Sequence, residues 1–199
     1  MTLYSLYADI KQFAFIRFDR EELREKFGEN PKNHIDTGFK PASYSEAWKT
    51  VDVTFENADG MVGDAIPDIM EFKAKLFLNS KAYKVLYPLI EEYGEFLPVS
   101  YEGESCFIFN PMCTAEDFDA VNESLCTQDE WGDITSIGFY EDRLVNIPIF
   151  KSAIDQYQSL ICNEIVKQAI EDAHLTGVYF TNDLGCPHTA HISSYIKTN

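Results

Sequence analysis

The side chains best suited to chemistry lie near the end of the sequence, in Cys186-Pro-His188-Thr-Ala-His191. One thiolate and two imidazoles within six residues could supply three of the N and S donors that Zn²⁺ takes in a tetrahedral shell, with Asp183 or a distant group as the fourth. The spacing matches no standard zinc finger or ribbon, and an ordinary polar tail is the competing reading. Glu116-Asp117-Phe-Asp119, with Glu123 four residues on, could gather oxygens around Mg²⁺ or Ca²⁺. That run lacks the glycine of a calcium loop, and Asp117, three residues after Thr114, also suits a helix capping box. His34 and His174 stand alone; His174 follows a helical stripe, where an imidazolium interacts well with the negative end of the macrodipole. Cys106, Cys113 and Cys126 have no neighbouring base that would lower a thiol pKa. The 10 glycines never fall into G-x-G-x-x-G or G-x-x-x-x-G-K-[ST], and neither G-x-S-x-G nor H-E-x-x-H occurs. The residues therefore assign no catalytic, cofactor or metal site, and the expectation is a protein that is not an enzyme.

Charge points instead to recognition. The 199 residues carry 33 acids against 16 bases, a net charge of −17. From residue 85 to residue 142 there is no Lys, Arg or His, while 14 acids fall there, which leaves only −3 for the rest of the chain. A smaller bias, six acids and no base, runs from Asp52 to Glu71. Phe, Tyr, Trp131 and Ile are interleaved with the acids of the central segment, so it reads as folded surface rather than a solvated acidic tail. Two uses compete: plain solubility, and an acidic face that captures a basic partner quickly through complementary fields. Within it, Asp117, Asp119, Asp129, Glu130 and Asp133 gather around Trp131, the composition of an interface hot spot, although Trp131 could equally be a core residue. The same charge excludes binding to a nucleic-acid backbone, which needs clustered Lys and Arg. No run of apolar residues is long enough for a membrane span, no secretory signal is visible, and five unpaired-looking cysteines fit a reducing cytoplasm.

These side chains need elements to hold them. Alternation of apolar and polar residues over 70–78, and of Val51, Val53 and Phe55 with polar neighbours, predicts half-buried strands. Further strands are expected over 3–7, 13–18, 96–101, 105–109 and 134–139, with a hairpin turn at Glu102-Gly103-Glu104. Asp19 and Glu22 look like a capping box for a short helix ending at Gly28, and Thr114 with Asp117 for another turn. Two amphipathic helices stand out, one capped at Asn79/Ser80 and ending at Gly94 with a kink at Pro88, the other capped at Asn163 and closing before Gly177. Each follows a short strand and precedes another, 84 positions apart, which suggests an internal duplication of a strand–helix–strand unit. Residues 29–47 form an irregular connection long enough to be mobile or functional. The fold expected is a single α+β domain over 1–199, with a mixed, largely antiparallel sheet and two principal helices: an N-terminal portion to 67, a core over 68–180 and a polar tail over 181–199.

The order of short motifs over roughly 68–180 carries a resemblance. Leu76-Phe-Leu-Asn-Ser80, a helix, Glu95-Phe-Leu-Pro98-Val, Cys106-Phe-Ile-Phe-Asn110-Pro and Asp117-Phe-Asp119 are similar to a bacterial family, as are Ile149-Phe150, Leu160-Ile and Leu175-Thr-Gly177-Val-Tyr-Phe180. That family, first catalogued as a domain of unknown function, is grouped among the immunity proteins of polymorphic toxin systems. The resemblance implies a cytoplasmic, non-catalytic antitoxin that binds a cognate toxin with a basic surface, and it brings no site residues with it. An acidic regulatory or structural subunit for some other basic protein is the alternative; a metal-dependent enzyme built on Cys186, His188 and His191 or the 116–123 carboxylates is a third reading.

Overall fold

The computed structural model describes residues 2–57 and 63–185. In chain order the strands are β1 (Leu3–Ala8), β2 (Phe15–Phe18), β3 (Val51–Glu56), β4 (Ile69–Phe72), β5 (Lys75–Leu78), β6 (Gly94–Tyr101), β7 (Glu104–Pro111), β8 (Thr127–Gln128), β9 (Ile134–Ser136), β10 (Ile149–Phe150), β11 (Leu160–Asn163) and β12 (Val178–Thr181). The helices are α1 (Arg20–Phe27), α2 (Ser80–Ile90) and α3 (Glu164–Asp172). Six strands form a sheet in the order β2-β3-β6-β7-β5-β4, antiparallel throughout except where β3 runs parallel to β6. Four form an antiparallel sheet in the order β10-β11-β1-β12, and among the described residues β8 pairs with β9 alone. The fold is α+β on largely antiparallel sheet, as expected.

Alternation sorts the side chains between layers. Leu76, Leu78 and Phe109 on one face of the larger sheet, Leu6, Leu160 and Cys162 on one face of the smaller, and Leu86, Ile90, Val166 and Ile170 of α2 and α3 form one buried cluster. The opposite face of the larger sheet buries Val51, Val53, Phe77, Val99 and Ile108 against Leu23 of α1 and Ile35. The opposite face of the smaller sheet, with Leu3, Phe150 and Ile161, is covered by residues of the stretch between β7 and β10, including Ala115, Ala120, Ile137 and Leu144.

The two strand–helix–strand units share a geometry. In the first, β5 and β6 flank β7 and both run antiparallel to it; in the second, β11 and β12 flank β1 in the same sense. Each is thus a pair of parallel strands joined through a helix and split by an inserted antiparallel strand. The helix starts match as well. Asn79 Oδ1 accepts from the amides of Lys81 and Ala82, and Asn163 Oδ1 from those of Ile165 and Val166, which satisfies donors that the first turn leaves unpaired.

Several expectations are corrected. Residues 70–78 are not one half-buried strand but the hairpin β4–β5, and every residue of both strands is buried. The turn, Lys73-Ala74, has φ of 51° and 52°, left-handed backbone without the usual Gly or Asn. Glu71 makes it tenable by accepting the Ala74 amide at 2.8 Å. Asp19 caps α1 by accepting the Glu21 and Glu22 amides, but the Glu22 carboxylate turns away to Lys26 Nζ and the Asp52 amide, so no reciprocal box forms. The strand expected over 134–139 stops at Ser136. The 29–47 connection is irregular but firmly tethered. Lys75 Nζ donates to the Gly38 carbonyl at 2.5 Å, Lys151 Nζ to that of Phe39 at 3.0 Å, and Asn110 Nδ2 to that of Ala42 at 2.9 Å. The Glu95 carboxylate accepts from Ser43 Oγ and from the amides of Tyr44 and Ser45.

Candidate functional site

Between β7 and β10 the chain makes an excursion of short 3₁₀ turns and one hairpin. Residues 112–148 hold nine acids and a single base, Arg143, so this excursion alone contributes −8 of the net −17. Its apolar residues divide: Ala115, Ala120, Ile137, Phe139 and Leu144 are buried, whereas Leu125, Trp131, Tyr140 and Val145 are exposed. Those four are among the seven large hydrophobics exposed among the described residues.

The β8–β9 hairpin presents Trp131. Asp129 builds its tip: Oδ1 accepts the amides of Trp131 and Asp133, both at 2.9 Å, and its own amide donates to the Asp133 carbonyl at 2.9 Å. Gly132 takes φ +89°, a conformation that costs a side-chain-bearing residue. With the backbone so fixed, Trp131 stands 79% exposed, which removes the core reading of this residue. Glu130 and Asp133 are exposed beside it, and among the described residues neither takes part in an ion pair.

The six expected partner-binding residues do not share one element. Asp129, Glu130, Trp131 and Asp133 occupy the hairpin tip, while Asp117 and Asp119 belong to the 3₁₀ turn Ala115–Phe118 and its end. Asp117 is engaged, accepting the Thr114 amide at 2.8 Å. Asp119 closes the turn in left-handed backbone, and its carbonyl accepts from Arg143, whose guanidinium lies over the Tyr140 ring. Asp129 is structural as well. The carboxylates left to meet a partner are those of Glu130 and Asp133 on the hairpin, with Asp119 on the neighbouring turn. The cation site imagined over 116–123 is not assembled. Glu116 binds Ser152 Oγ at 2.6 Å and the Ala153 amide at 2.8 Å, Asp117 caps its turn, and among the described residues no three metal-ligating side chains converge. Cys186, His188 and His191 lie outside the described residues.

Beneath the hairpin is a cavity of about 880 Å³ that no single stretch of sequence announces. Gln128, Gly132, Asp133 and Ile134 of the hairpin form one wall; residues between Phe15 and Arg20, the β4–β5 turn, Asp36 with Phe39, residues between Ile154 and Ser159, Tyr7 and Gly185 supply the others. At its edge sits a buried charge cluster. Glu71 lies in the wall, and Lys75 and Lys151 are wholly buried. Burial pushes the Glu71 carboxyl up to about 7, against the pull of the Ala74 amide and the lysines. Burial likewise holds Lys75 down to about 8 and Lys151 down to about 7, the latter also through its repulsion from Lys75. Both ammonium groups are aimed at the carbonyls of the tethered connection, so the cluster's visible task is to pin that segment against the sheets.

The remaining reactive side chains have quiet roles. His34 is buried with Nε2 2.7 Å from the Gly28 carbonyl oxygen, and His174 sits in left-handed backbone just beyond α3. Burial pushes the Cys113 thiol up to about 12 and raises those of Cys106 and Cys162 too, the reverse of what a nucleophilic cysteine needs. No family model matches this chain, and no curated protein matches it.

Proposed function

We propose that this protein is an immunity protein, which binds and neutralises a cognate protein toxin in the cytoplasm through its acidic excursion and catalyses nothing itself. The observation that carries the reading is Trp131, 79% exposed on a hairpin whose backbone is fixed by Asp129 and whose free carboxylates are Glu130 and Asp133. Folding gains little from a tryptophan held in water, whereas burying one in a complex contributes about 2 kcal/mol or more. Carboxylates around such an anchor favour a basic partner and speed its approach. A toxin that acts through a basic cleft would meet them as it meets phosphate charge. The motif resemblance over 68–180 is what makes that partner a toxin rather than any basic protein.

The test is affinity capture from the native lysate with washes at low salt and at about 0.5 M salt, where the Debye length is only a few Å and long-range attraction is screened. A single stoichiometric protein is expected to survive the stronger wash and to kill cells when expressed alone, with co-expression of this chain restoring growth. A retained partner that is harmless alone would make the protein a regulatory subunit. Retention of only salt-labile basic proteins would overturn the immunity reading.

A further inference from the structure

The acidic excursion contains one cation, and the fold holds it away from the acids around it. Arg143 is the only base among residues 85–150. Glu141 and Asp142 precede it directly and Asp119 lies at its side, yet among the described residues it enters no ion pair. Its guanidinium lies 4.6 Å from the centroid of the Tyr140 ring, and one N–H of the fork goes to the backbone carbonyl of Asp119. Arginine and ring are both exposed. Leu125 extends the same surface: exposed itself, it covers Gly138, where an added Cβ would come 2.2 Å from Leu125 Cβ. Tyr140 follows Gly138 by two residues, the spacing at which extended backbone returns to the same side. Tyr and Arg are among the residue types that dominate the energetics of protein interfaces.

We propose that Arg143 is the specificity determinant of this acidic face: it receives one carboxylate of the protein partner, with Leu125 and Tyr140 bedding the apolar surface beside that group, and it turns away basic proteins that present Lys or Arg there. A face of carboxylates alone attracts any basic protein, because long-range attraction responds to the sum of charge and not to its arrangement. A cation fixed within such a face reverses the preference at one point. Opposite a lysine or arginine it repels, and opposite a carboxylate it forms the charge-assisted pair for which the guanidinium fork is shaped. Its placement matters as much as its charge. The Tyr140 ring and the Asp119 carbonyl hold the group in place, and the single bond to that carbonyl leaves the rest of the fork unspent. Fixing a long side chain before the encounter also lowers the ordering cost of the complex. The partner's surface is then the inverse of this one: basic overall, with an acid set beside an apolar side chain. That the partner is a toxin rests on the immunity reading; the selection against plain basic surfaces does not.

The test compares two ligands on the full chain, the captured partner by stopped-flow and calorimetry and poly-L-lysine at low salt as a basic surface without acids. Arg143→Gln is expected to weaken the partner by about tenfold or more, through faster dissociation with association no slower, while the thermal unfolding midpoint holds. The same change makes the face more negative, so poly-L-lysine should bind more tightly, by about twofold or more for Arg143→Glu. Opposite signs for the two ligands are a result that an arginine serving only to pin the Asp119 turn would not give. Tyr140→Ala, which removes the ring under the guanidinium, should weaken the partner as well. Changing one acid of the partner to lysine should restore its binding to the Arg143→Glu chain. Equal or tighter partner binding by Arg143→Gln overturns the proposal, and so does poly-L-lysine binding that ignores the charge at this position. Should Arg143→Gln fail to fold, Arg143→Lys decides: with the charge kept and the fork lost, poly-L-lysine should bind as before and the partner more weakly. Capture of no toxin would sink the immunity reading alone, since poly-L-lysine still decides the selection, whereas toxin capture with an indifferent Arg143 would sink only this proposal.

Discussion

Trp131 contributes almost nothing to its own fold, which makes it a clean probe. Trp131→Ala is expected to leave the thermal unfolding midpoint unchanged while weakening partner binding by about 10–100-fold, read by calorimetric titration. Equal affinity would remove the hairpin from the interface. The buried cluster makes the opposite kind of prediction, on stability with no partner present. Glu71 ionises near 7 in the folded protein against 4.5 ordinarily, so between those values the folded state holds a proton that the unfolded state has released, and stability falls as pH rises through that window. Lys75 and Lys151 act in reverse. Held down to about 8 and about 7, they lose protons in the folded state that the unfolded chain keeps up to about 10.5, so their contribution to stability rises from about pH 7 upward. In urea unfolding across pH, Glu71→Gln should abolish the fall between 4.5 and 7, and Lys151→Met should flatten the rise above 7. Near pH 6, where folded Glu71 is mostly protonated, Glu71→Gln removes no charge from the cluster and spares the proton uptake on folding, so it should not destabilise. Parallel pH curves for the original chain and both variants would refute the cluster's coupling.

Single hairpins and junctions differ in how far their damage spreads. Asp129→Ala removes the acceptor for two tip amides, so hydrogen exchange at Trp131 and Asp133 should quicken while the global unfolding midpoint holds, because among the described residues β8 and β9 pair only with each other. Gly177→Ala should instead lower global stability by about 3 kcal/mol or more in denaturant titration. With φ +112°, its added Cβ would lie 2.2 Å from the Ile69 carbonyl oxygen and 2.3 Å from Pro67 Cβ, at the seam where β4 meets the loop into β12. The elements that sequence makes legible are those whose signals are local. Gly103 marks the β6–β7 turn, Asn79 and Asn163 mark the helix starts, and the run without bases marks the acidic excursion. The β4–β5 turn stayed hidden because Lys73 and Ala74 are not turn residues and the group that stabilises them, Glu71, looks from its spacing like a solvent-facing strand position. Trp131 was half legible: its acidic surroundings pointed to a surface, but burial depends on what the rest of the chain covers. The cavity was not legible at all, since its walls come from seven separate stretches whose meeting is a property of the topology.

At the scale of the whole molecule, a net charge of −17, with −8 of it in one excursion, should act mainly on the rate of encounter. Stopped-flow association with the partner is expected to slow by about tenfold or more between low salt and about 0.5 M salt, with dissociation changing much less. Reversing Glu130 and Asp133 to Lys should flatten that dependence, and an unaltered slope would mean that the field comes from elsewhere on the surface. The topology has a consequence for how the chain is made. Among the described residues β1, at residues 3–8, pairs with β11 and β12 alone, which end at residue 181. The split unit around β7 can close within one short stretch of chain, but at about 5–20 residues per second the ribosome leaves β1 without a strand partner for about 8–30 s. During that interval residues 3–8 are an apolar strand with unpaired backbone. The smaller sheet therefore assembles only once β11 has been translated, and residues 3–8 are the natural point of chaperone capture until then.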